Sequence, residues 1–224
     1  MKFKYLYVLA FAFILAACNN AGNEGESTTK EETTSNEEME SNDSEKAAVD
    51  GEYKLMASES VVNWKGEKVT GEHTGTVQME SGMVTIKNGE IASGEIVMDM
   101  STISNEDLKD DPDSQAKLEG HLKSDDFFSV DKHKTASFKI EGSEKVDGVT
   151  MVNGILTIKG MSEPAVLKLE KSMMEDGKMT ASGTMTVDRT KYDIKFRSGK
   201  FFEDLGDKLI YDDFMLDFKV IAQK

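Results

Sequence analysis

The chain has 224 residues, a net charge of −15, 18 glycines, two prolines and one cysteine. This acidity argues against a general nucleic-acid binder, because such proteins neutralise phosphates with clustered Lys and Arg. A single cysteine excludes an intramolecular disulfide framework and a multi-cysteine metal site. Many glycines with few prolines are typical of long strands joined by tight turns.

The first 18 residues have the pattern of a lipoprotein signal peptide. Lys2 and Lys4 precede an apolar run over residues 6–15, which is too short to span a bilayer. The run ends in Leu-Ala-Ala-Cys, which resembles the bacterial lipobox, and Cys18 is the single cysteine. We therefore predict export and lipid attachment through Cys18 in the bacterial cell envelope, at the outer membrane. The alternative is an ordinary signal peptide with a chance cysteine at its end.

Residues 19–50 differ sharply in composition from the rest of the chain. Ten acidic residues against two lysines give them a net charge of −8, and Met39 and Val49 are their only large apolar residues. Such a segment buries too little apolar surface to offset its ordering entropy, so we predict a disordered acidic tether. An acidic binding tail is the alternative. Residues 51–224 then form one domain with a net charge of −9, from 23 basic and 32 acidic residues.

This domain alternates between apolar and polar residues with a period of two, which predicts strands with one apolar face. In residues 179–187, apolar residues or Gly occupy the odd positions and Thr or Ser the even ones. The final run, residues 210–222, is expected to be the longest strand, spanning about 40 Å. The inward side chains of these strands are the candidate lining of an interior site: Phe138, Ile140, Leu156, Ile158, Leu167, Leu169, Met185, Phe214, Leu216 and Phe218.

The same alternation sets Ala165, Leu167 and Leu169 apart from Lys168 and Glu170, and it recurs over residues 135–140. Leu167 and Leu169 therefore belong with the inward lining residues.

Turn residues and internal glycines indicate how these strands are connected. Turn signals separate the runs at residues 80–82, 87–89, 147–148 and 176–177. Glycines inside the strands, at positions 75, 94, 154 and 183, favour strong curvature. We therefore predict an all-β fold, a lipocalin-like antiparallel β-barrel of about eight strands. A β-sandwich, whose strands are usually shorter, is the alternative.

One segment, between residues 105 and 122, departs from the period of two. Asp111 is suited to cap a helix that begins at Pro112, and Ala116, Leu118 and Leu122 form a helical stripe. We predict one short helix, packed on the barrel or over its mouth.

The domain also carries an ordered series of short motifs. They are Trp64–Lys68, Gly71–Gly75, His121–Phe128, Ala136–Phe138, Gly154–Gly160, Val187–Thr190 and Asp212–Phe214. In this order they resemble the YceI family of bacterial secreted proteins. The resemblance implies a lipocalin-like barrel whose elongated interior holds a polyisoprenoid or an isoprenoid quinone. The chain departs from many family members at residues 56–60 and at Lys134, which bear on local geometry and the pocket rim.

We therefore predict a protein that binds and carries or buffers an isoprenoid lipid inside the barrel. Trp64 and His73 are candidate pocket-lining residues, with His73 expected at the rim beside Trp64. Arg189 is a candidate headgroup contact, because a guanidinium can pair with a phosphate or quinone oxygen. An exposed Arg189 paired with Asp188 or Asp193 is the alternative. Methionines would give an adaptable lining, among them Met98, Met100, Met179 and Met185.

Two other classes of protein compete with this prediction. The inward residues also fit a filled core, which would leave an envelope stress or interaction protein that acts through its acidic surface. An enzyme is disfavoured, because His73, His121 and His133 lack the spacing of a helical zinc site. The aspartates at 110, 111 and 113 lack the glycine and glutamate of a calcium loop. We predict no catalytic residue, no metal and no cofactor besides the lipid, and the sequence leaves the oligomeric state open.

Overall fold

The computed structural model describes residues 49–224. The predicted signal peptide, Cys18 and almost all of the predicted tether lie outside these residues. Within residues 49–224, no helix has the length and apolar character needed to cross a membrane.

Nine strands and one α-helix make up the described domain. The strands are β1 (Gly51–Leu55), β2 (Val61–Lys68), β3 (Gly71–Lys87), β4 (Glu90–Asn105), β5 (Thr135–Val146), β6 (Val149–Ile158), β7 (Met161–Glu175), β8 (Lys178–Asp188) and β9 (Ile210–Gln223). The helix α1 (Pro112–Lys123) lies between β4 and β5, and short 3₁₀ turns cover Ala57–Glu59, Arg189–Tyr192 and Gly206–Lys208. The prediction that the last strand is the longest is wrong, because β3 has 17 residues and β9 has 14.

The strands close into an antiparallel barrel with eight positions around its circumference. Each strand from β3 to β9 pairs with the next strand in the sequence, and this includes β4 and β5, which α1 separates along the chain. Both β1 and β2 lie between β3 and β9, and they pair with different levels of those two strands. Nine strands therefore fill eight positions, and the predicted barrel is confirmed over the sandwich.

Three of the four predicted turns are two-residue hairpin turns at one end of the barrel. Asn88-Gly89, Asp147-Gly148 and Asp176-Gly177 all have positive φ at both residues, as a type I′ turn requires. The predicted turn at residues 80–82 is wrong. These residues lie inside β3, where the register with β4 shifts between Met79 and Ser81. A bulge at this point lets a long strand bend without ending.

The predicted helix is present, and it starts at the expected residue. Asp111 caps it, since its carboxylate accepts the Ser114 backbone N–H at 3.2 Å and the Ser114 hydroxyl at 2.7 Å. Leu122 is buried, and Leu118 packs against the core. The helix lies at the end of the barrel opposite the three hairpin turns. We call the end that carries the helix the outer end, and the end that carries these three hairpin turns the inner end.

Two internal glycines mark where neighbouring strands approach closely. Gly154 of β6 pairs with Ile140, directly before a register shift in β5, and Gly183 of β8 pairs with Leu169, directly before one in β7. A Cβ at Gly154 would lie 2.3 Å from the Lys139 carbonyl oxygen, and one at Gly183 would lie 2.5 Å from that of Lys168. These positions accept only glycine without a backbone shift, which agrees with their predicted role in curvature.

Candidate binding cavity

The larger cavity of the barrel interior lies at the outer end. Its volume is about 110 Å³, and the surface that residues 49–224 present to it is apolar. The barrel walls contribute Val62, Trp64, Gly66, Val77, Met98, Met100, Ala136, Leu156, Ile158, Phe214 and Leu216. The outer ends of β4 and β9, the helix and the connecting segments contribute Ile103, Leu122, Phe127, Phe128, Arg189, Ile194, Ile210 and Tyr211. We call this space the outer cavity.

A smaller cavity of about 40 Å³ lies toward the inner end. Regular strand residues line it: Val84, Ile91, Ile96, Phe138, Ile140, Val152, Leu167, Leu169, Met179, Ala181, Ser182, Gly183, Phe218 and Val220. We call this space the inner cavity. Because it has room for little more than one or two water-sized groups, most of the inner half of the barrel is filled by its own side chains.

The structure divides the predicted lining residues between the two cavities. Trp64, Leu156, Ile158, Phe214 and Leu216 line the outer cavity. Phe138, Ile140, Leu167, Leu169 and Phe218 line the inner cavity.

Met185 is 2 % exposed and belongs to the buried core. Among the other methionines, Met98 and Met100 line the outer cavity and Met179 lines the inner one. Contact of any of these residues with a ligand stays a prediction.

Trp64 is held against the wall of the outer cavity by a close contact with a glycine. It pairs with Gly75 across β2 and β3, and a Cβ at Gly75 would lie 2.6 Å from Cζ2 of the indole. The indole Nε1–H donates to the carbonyl oxygen of Ser104 at 3.2 Å. The absence of a side chain at Gly75 therefore lets the ring lie flat on the neighbouring strand while its polar edge is satisfied.

His73 lies at the outer rim, where it contacts Asp107. Its Nδ1 is 2.8 Å from Oδ2 of Asp107, whose other oxygen accepts the Thr74 backbone N–H at 2.8 Å and the side-chain amide of Asn105 at 2.5 Å. Burial raises the pKa of Asp107, but the hydrogen bonds from Thr74, His73 and Asn105 outweigh it and leave that pKa below its ordinary value. This network fastens the end of β4 to the start of β3 at the rim.

Arg189 is buried, with 3 % of its surface exposed, so the expectation of an exposed arginine is wrong. Its ion-pair partner is Asp212, with Oδ1 at 3.3 Å from Nη2, in place of Asp188 or Asp193. Burial lowers the pKa of Arg189, and the negative charges of Asp212 and Asp188 act in the opposite direction.

Every nitrogen of the Arg189 guanidinium donates to a backbone carbonyl. Nε donates to Tyr211 at 3.0 Å, and Nη2 donates to Ile210 at 2.9 Å. Nη1 donates to Ile194 and Phe196, both at 2.9 Å. Arg189 therefore ties the connection that follows β8 to the start of β9. A headgroup contact by Arg189 stays a prediction, and it would compete with these bonds.

Sequence reasoning missed the residues that the connecting segments contribute to the outer cavity. Phe127 and Phe128 follow the helix, and the His121 ring meets Phe127 edge-on at 4.9 Å between centroids. Phe196 also meets the His121 ring edge-on, at 4.5 Å between centroids, and lies 5.7 Å from Phe127. The period of two cannot identify such residues, because they lie outside the strands. The motif His121–Phe128 was the one signal in the sequence. It contributed to the family resemblance, but the sequence assigned it no place in the binding site.

No group of three or more metal-ligating side chains is found in the described part of the chain, residues 49–224. His121 is accounted for by its aromatic neighbours and by Asp126, whose Oδ2 is 3.4 Å from Nε2. The absence of a metal, a cofactor and a catalytic activity stays a prediction.

Comparison with known proteins assigns the domain to a family. The model of the YceI-like domain matches residues 53–222, and the chain therefore belongs to the YceI-like family. A curated relative, a UPF0312 protein of Photorhabdus laumondii, is 28% identical over 111 residues. That match covers 50% of this chain and 57% of the relative, so the chain spans little more than half the relative's length.

Two solved structures share the fold at low sequence identity. BcnA of Burkholderia cenocepacia has a TM-score of 0.60 at 18% identity, with 75% of this chain and 99% of BcnA covered. A polyisoprenoid binding domain of Saccharophagus degradans has a TM-score of 0.56 at 14% identity, with coverage of 76% and 97%. At these identities the likeness establishes the barrel fold of this chain.

Proposed function

We propose that the protein binds and carries or buffers an isoprenoid lipid at the bacterial cell envelope, with an apolar part of the ligand in the outer cavity. The observation that carries this proposal is the apolar surface of that cavity at the outer end of a YceI-like barrel. The polyisoprenoid binding domain of Saccharophagus degradans, which has the same fold, supports the ligand class. Polyprenyl lipids and isoprenoid quinones are both candidates.

The energetics of such binding follow from the apolar lining. Each Å² of apolar surface removed from water contributes about 25 cal/mol, so burying one isoprene unit is favourable without any directional contact. The methionine side chains of the lining, Met98 and Met100, are flexible and adapt to a branched hydrocarbon more readily than β-branched side chains do. Recognition of this kind selects for shape and apolar character, and it needs no catalytic group.

Exposed aromatic residues near the outer end support exchange of the ligand with a lipid surface. Phe201 and Phe202 are about half exposed, at 48% and 49%, and they lie in the connection between β8 and β9. Tyr211, which lines the outer cavity, is 48% exposed. Amphipathic and aromatic side chains of this kind favour the boundary between membrane and water.

Organic extraction of the natively purified full chain, followed by mass spectrometry, tests the ligand class. We expect a polyprenyl species or an isoprenoid quinone in a stable ratio to protein. The matched control is a variant in which Leu216→Glu places a carboxylate in the apolar lining, which should abolish co-purification while circular dichroism still reports a β-barrel. Extracts without lipid, together with recovery of one protein partner from envelope material, would favour the alternative of an interaction protein.

We also propose that Cys18 is the lipid attachment site. Metabolic labelling with a fatty acid should mark the full chain and leave Cys18→Ser unlabelled, because the lipobox cysteine is the acceptor. Cell fractionation of the same two proteins measures location. Unchanged labelling of Cys18→Ser would contradict the attachment site without touching the ligand proposal.

A further inference from the structure

Two phenylalanine rings meet across the barrel lumen between the two cavities. Phe138 lies on β5 and Phe218 on β9, and these strands are four positions apart in a barrel of eight, so they lie on opposite walls. Even so, the ring centroids are only 6.4 Å apart, with an interplanar angle of 48°. Both side chains are 1 % exposed. The two rings therefore bridge the lumen.

The boundary between the cavities follows these rings from strand to strand. On β5, Ala136 lines the outer cavity and Phe138 the inner one; on β9, the same change occurs between Leu216 and Phe218. On β4 it occurs between Met98 and Ile96, and on β6 between Leu156 and Val152, on either side of Gly154.

Met185 completes this level of the barrel on β8. It lies two residues beyond Gly183, which lines the inner cavity, and it pairs with Leu216, which lines the outer one. It is 2 % exposed. We call the rings of Phe138 and Phe218, together with the Met185 side chain at the same level, the aromatic layer.

A glycine positions one ring of this layer. A Cβ at Gly154 would lie 2.8 Å from Cε2 of Phe138, so this ring lies directly on the backbone of β6. Phe218 pairs across β8 and β9 with Gly183. The Phe138 ring is thus fixed by close backbone contact, and it does not simply fill whatever space remains.

The sizes of the two cavities make the layer a limit on depth. An apolar cavity of about 150 Å³ holds one benzene molecule. The outer cavity, at about 110 Å³, therefore suits one small ring or one isoprene unit, and the inner cavity, at about 40 Å³, suits neither. A longer hydrocarbon reaches the inner half only if Phe138 and Phe218 leave the positions that they occupy.

We propose that the aromatic layer sets how deeply an isoprenoid enters the barrel. Only the end group of the ligand, one small ring or one isoprene unit, is held in the outer cavity; a second unit lies at its mouth, and the remaining chain stays on the outer side of Phe138 and Phe218. This inference rests on the proposed binding of isoprenoids and adds the ligand length that the site recognises. Phe138 and Phe218 are then specificity-determining residues.

A series of prenyl alcohols with one to four isoprene units tests the proposal on the full chain. Affinity for the unaltered protein, measured by tryptophan fluorescence with Trp64 as the sole tryptophan, should rise from one unit to two and change by less than about threefold from two units to four. While a hydrocarbon is still being buried, each added unit should instead increase affinity at least about tenfold.

The paired variant Phe138→Leu with Phe218→Leu tests the same limit by removing the two rings that are proposed to impose it. Leucine keeps the core apolar and removes the two rings, so the two cavities join and affinity should increase about tenfold or more from two units to four. Phe127→Leu is the matched control. Phe127 is also a buried aromatic residue, but it lines the outer cavity, so its replacement should leave the dependence on length unchanged.

The outcomes separate the inference from the proposed function. Affinity that rises through all four units in the unaltered protein would overturn the depth limit and leave isoprenoid binding intact. Failure of every prenyl alcohol to bind would overturn both. Because the unaltered protein alone decides between these outcomes, the proposal stays falsifiable even if the paired variant does not fold.

Discussion

The outer and inner halves of the barrel differ in how much of the lumen is filled by the protein's own side chains. In the inner half, three two-residue hairpin turns connect the strands, register shifts bend β5 and β7, and strand side chains fill the lumen down to a cavity of about 40 Å³. In the outer half, the hairpin turns at residues 69–70 and 159–160 are accompanied by the helix and by the long connection between β8 and β9, and a cavity of about 110 Å³ remains. Strand side chains therefore fill the inner half, whereas the helix and the long connection border the larger cavity of the outer half.

The two halves also differ in what stabilises them. The inner half depends on apolar packing, as at Val152 and Ala222. Buried polar side chains bond to backbone groups in both halves, Ser60 in the inner half and Asn105 and Arg189 in the outer half, but Arg189 alone donates to four carbonyls. Since a buried polar group is costly only when it loses its partner, the outer half should be more sensitive to loss of one hydrogen-bonding side chain. The following substitutions test this difference, from the largest expected effect to the smallest.

Arg189→Met should lower the free energy of unfolding by about 3 to 5 kcal/mol, because it leaves four carbonyls without their donor and removes the ion-pair partner of Asp212 at 3.3 Å. Urea denaturation measures the loss. Hydrogen exchange should show faster exchange at the start of β9 and little change in the inner hairpins. Lys191→Ala, an exposed neighbour, is the control and should change stability by less than about 0.5 kcal/mol. An equal loss of protection in both halves would contradict their separation.

Gly154→Ala should destabilise the domain by about 1 to 3 kcal/mol, because the new Cβ meets the Lys139 carbonyl and the Phe138 ring at the boundary of the two halves. Thermal unfolding followed by circular dichroism measures the change. Gly66→Ala is the matched strand control, since a Cβ there has no neighbour within 4 Å among the described residues. Equal melting temperatures for the two variants would show that Phe138 yields easily.

Acid should weaken the outer half through Asp188. Burial raises the pKa of this carboxyl, but hydrogen bonds from Lys200 and Thr190 outweigh it and lower the pKa from 3.8 to about 2. Because the folded pKa lies below the unfolded one, the stabilisation is present above pH 3.8 and is lost as the pH falls toward 2.

The loss should amount to about 2 kcal/mol, measured as the change in the free energy of unfolding by urea at each pH. Asp188→Asn should remove this part of the pH dependence and leave the remainder in place. The same acid profile in both proteins would assign the loss to other carboxylates.

Gly120→Ala should stabilise the domain by about 0.5 to 1 kcal/mol, because alanine has the higher helix propensity and a Cβ at this position meets open space. Chemical denaturation measures the gain. Affinity for a one-unit prenyl alcohol should stay unchanged, because residue 120 is outside the lining of the outer cavity. A loss of stability would mean that α1 needs the flexibility of glycine at this point.

Several elements follow from local sequence pattern alone. The alternation over residues 179–187 predicts the inward face of β8, and Asn88-Gly89 predicts a hairpin turn. Asp111 and Pro112 predict the first turn of the helix. The turn predicted at Glu80-Ser81-Gly82 is wrong, because the same residue types occur in turns and in bulges. Pairing with β4 makes this segment a bulge.

The candidate site depended on contacts that local pattern does not encode. The strand pattern identified Leu156 and Phe218 as inward residues, but it placed them in one continuous lining. Phe127 and Ile194 come from connecting segments, and no periodicity assigns such residues to the interior. From the sequence, Arg189 could be an exposed residue paired with Asp188. In the structure it is buried, because backbone carbonyls from two segments accept its hydrogen bonds.

The sequence by itself determined the period of two, the hairpin turns, the helix cap and the family motifs, because each of these depends on residues close together in the chain. Only the tertiary structure decided that the lumen is divided. Phe138 and Phe218 are 80 residues apart in the chain, and they meet because barrel closure places β5 opposite β9. Closure is a property of the whole sheet, so the depth of the cavity depends on distant strands at once.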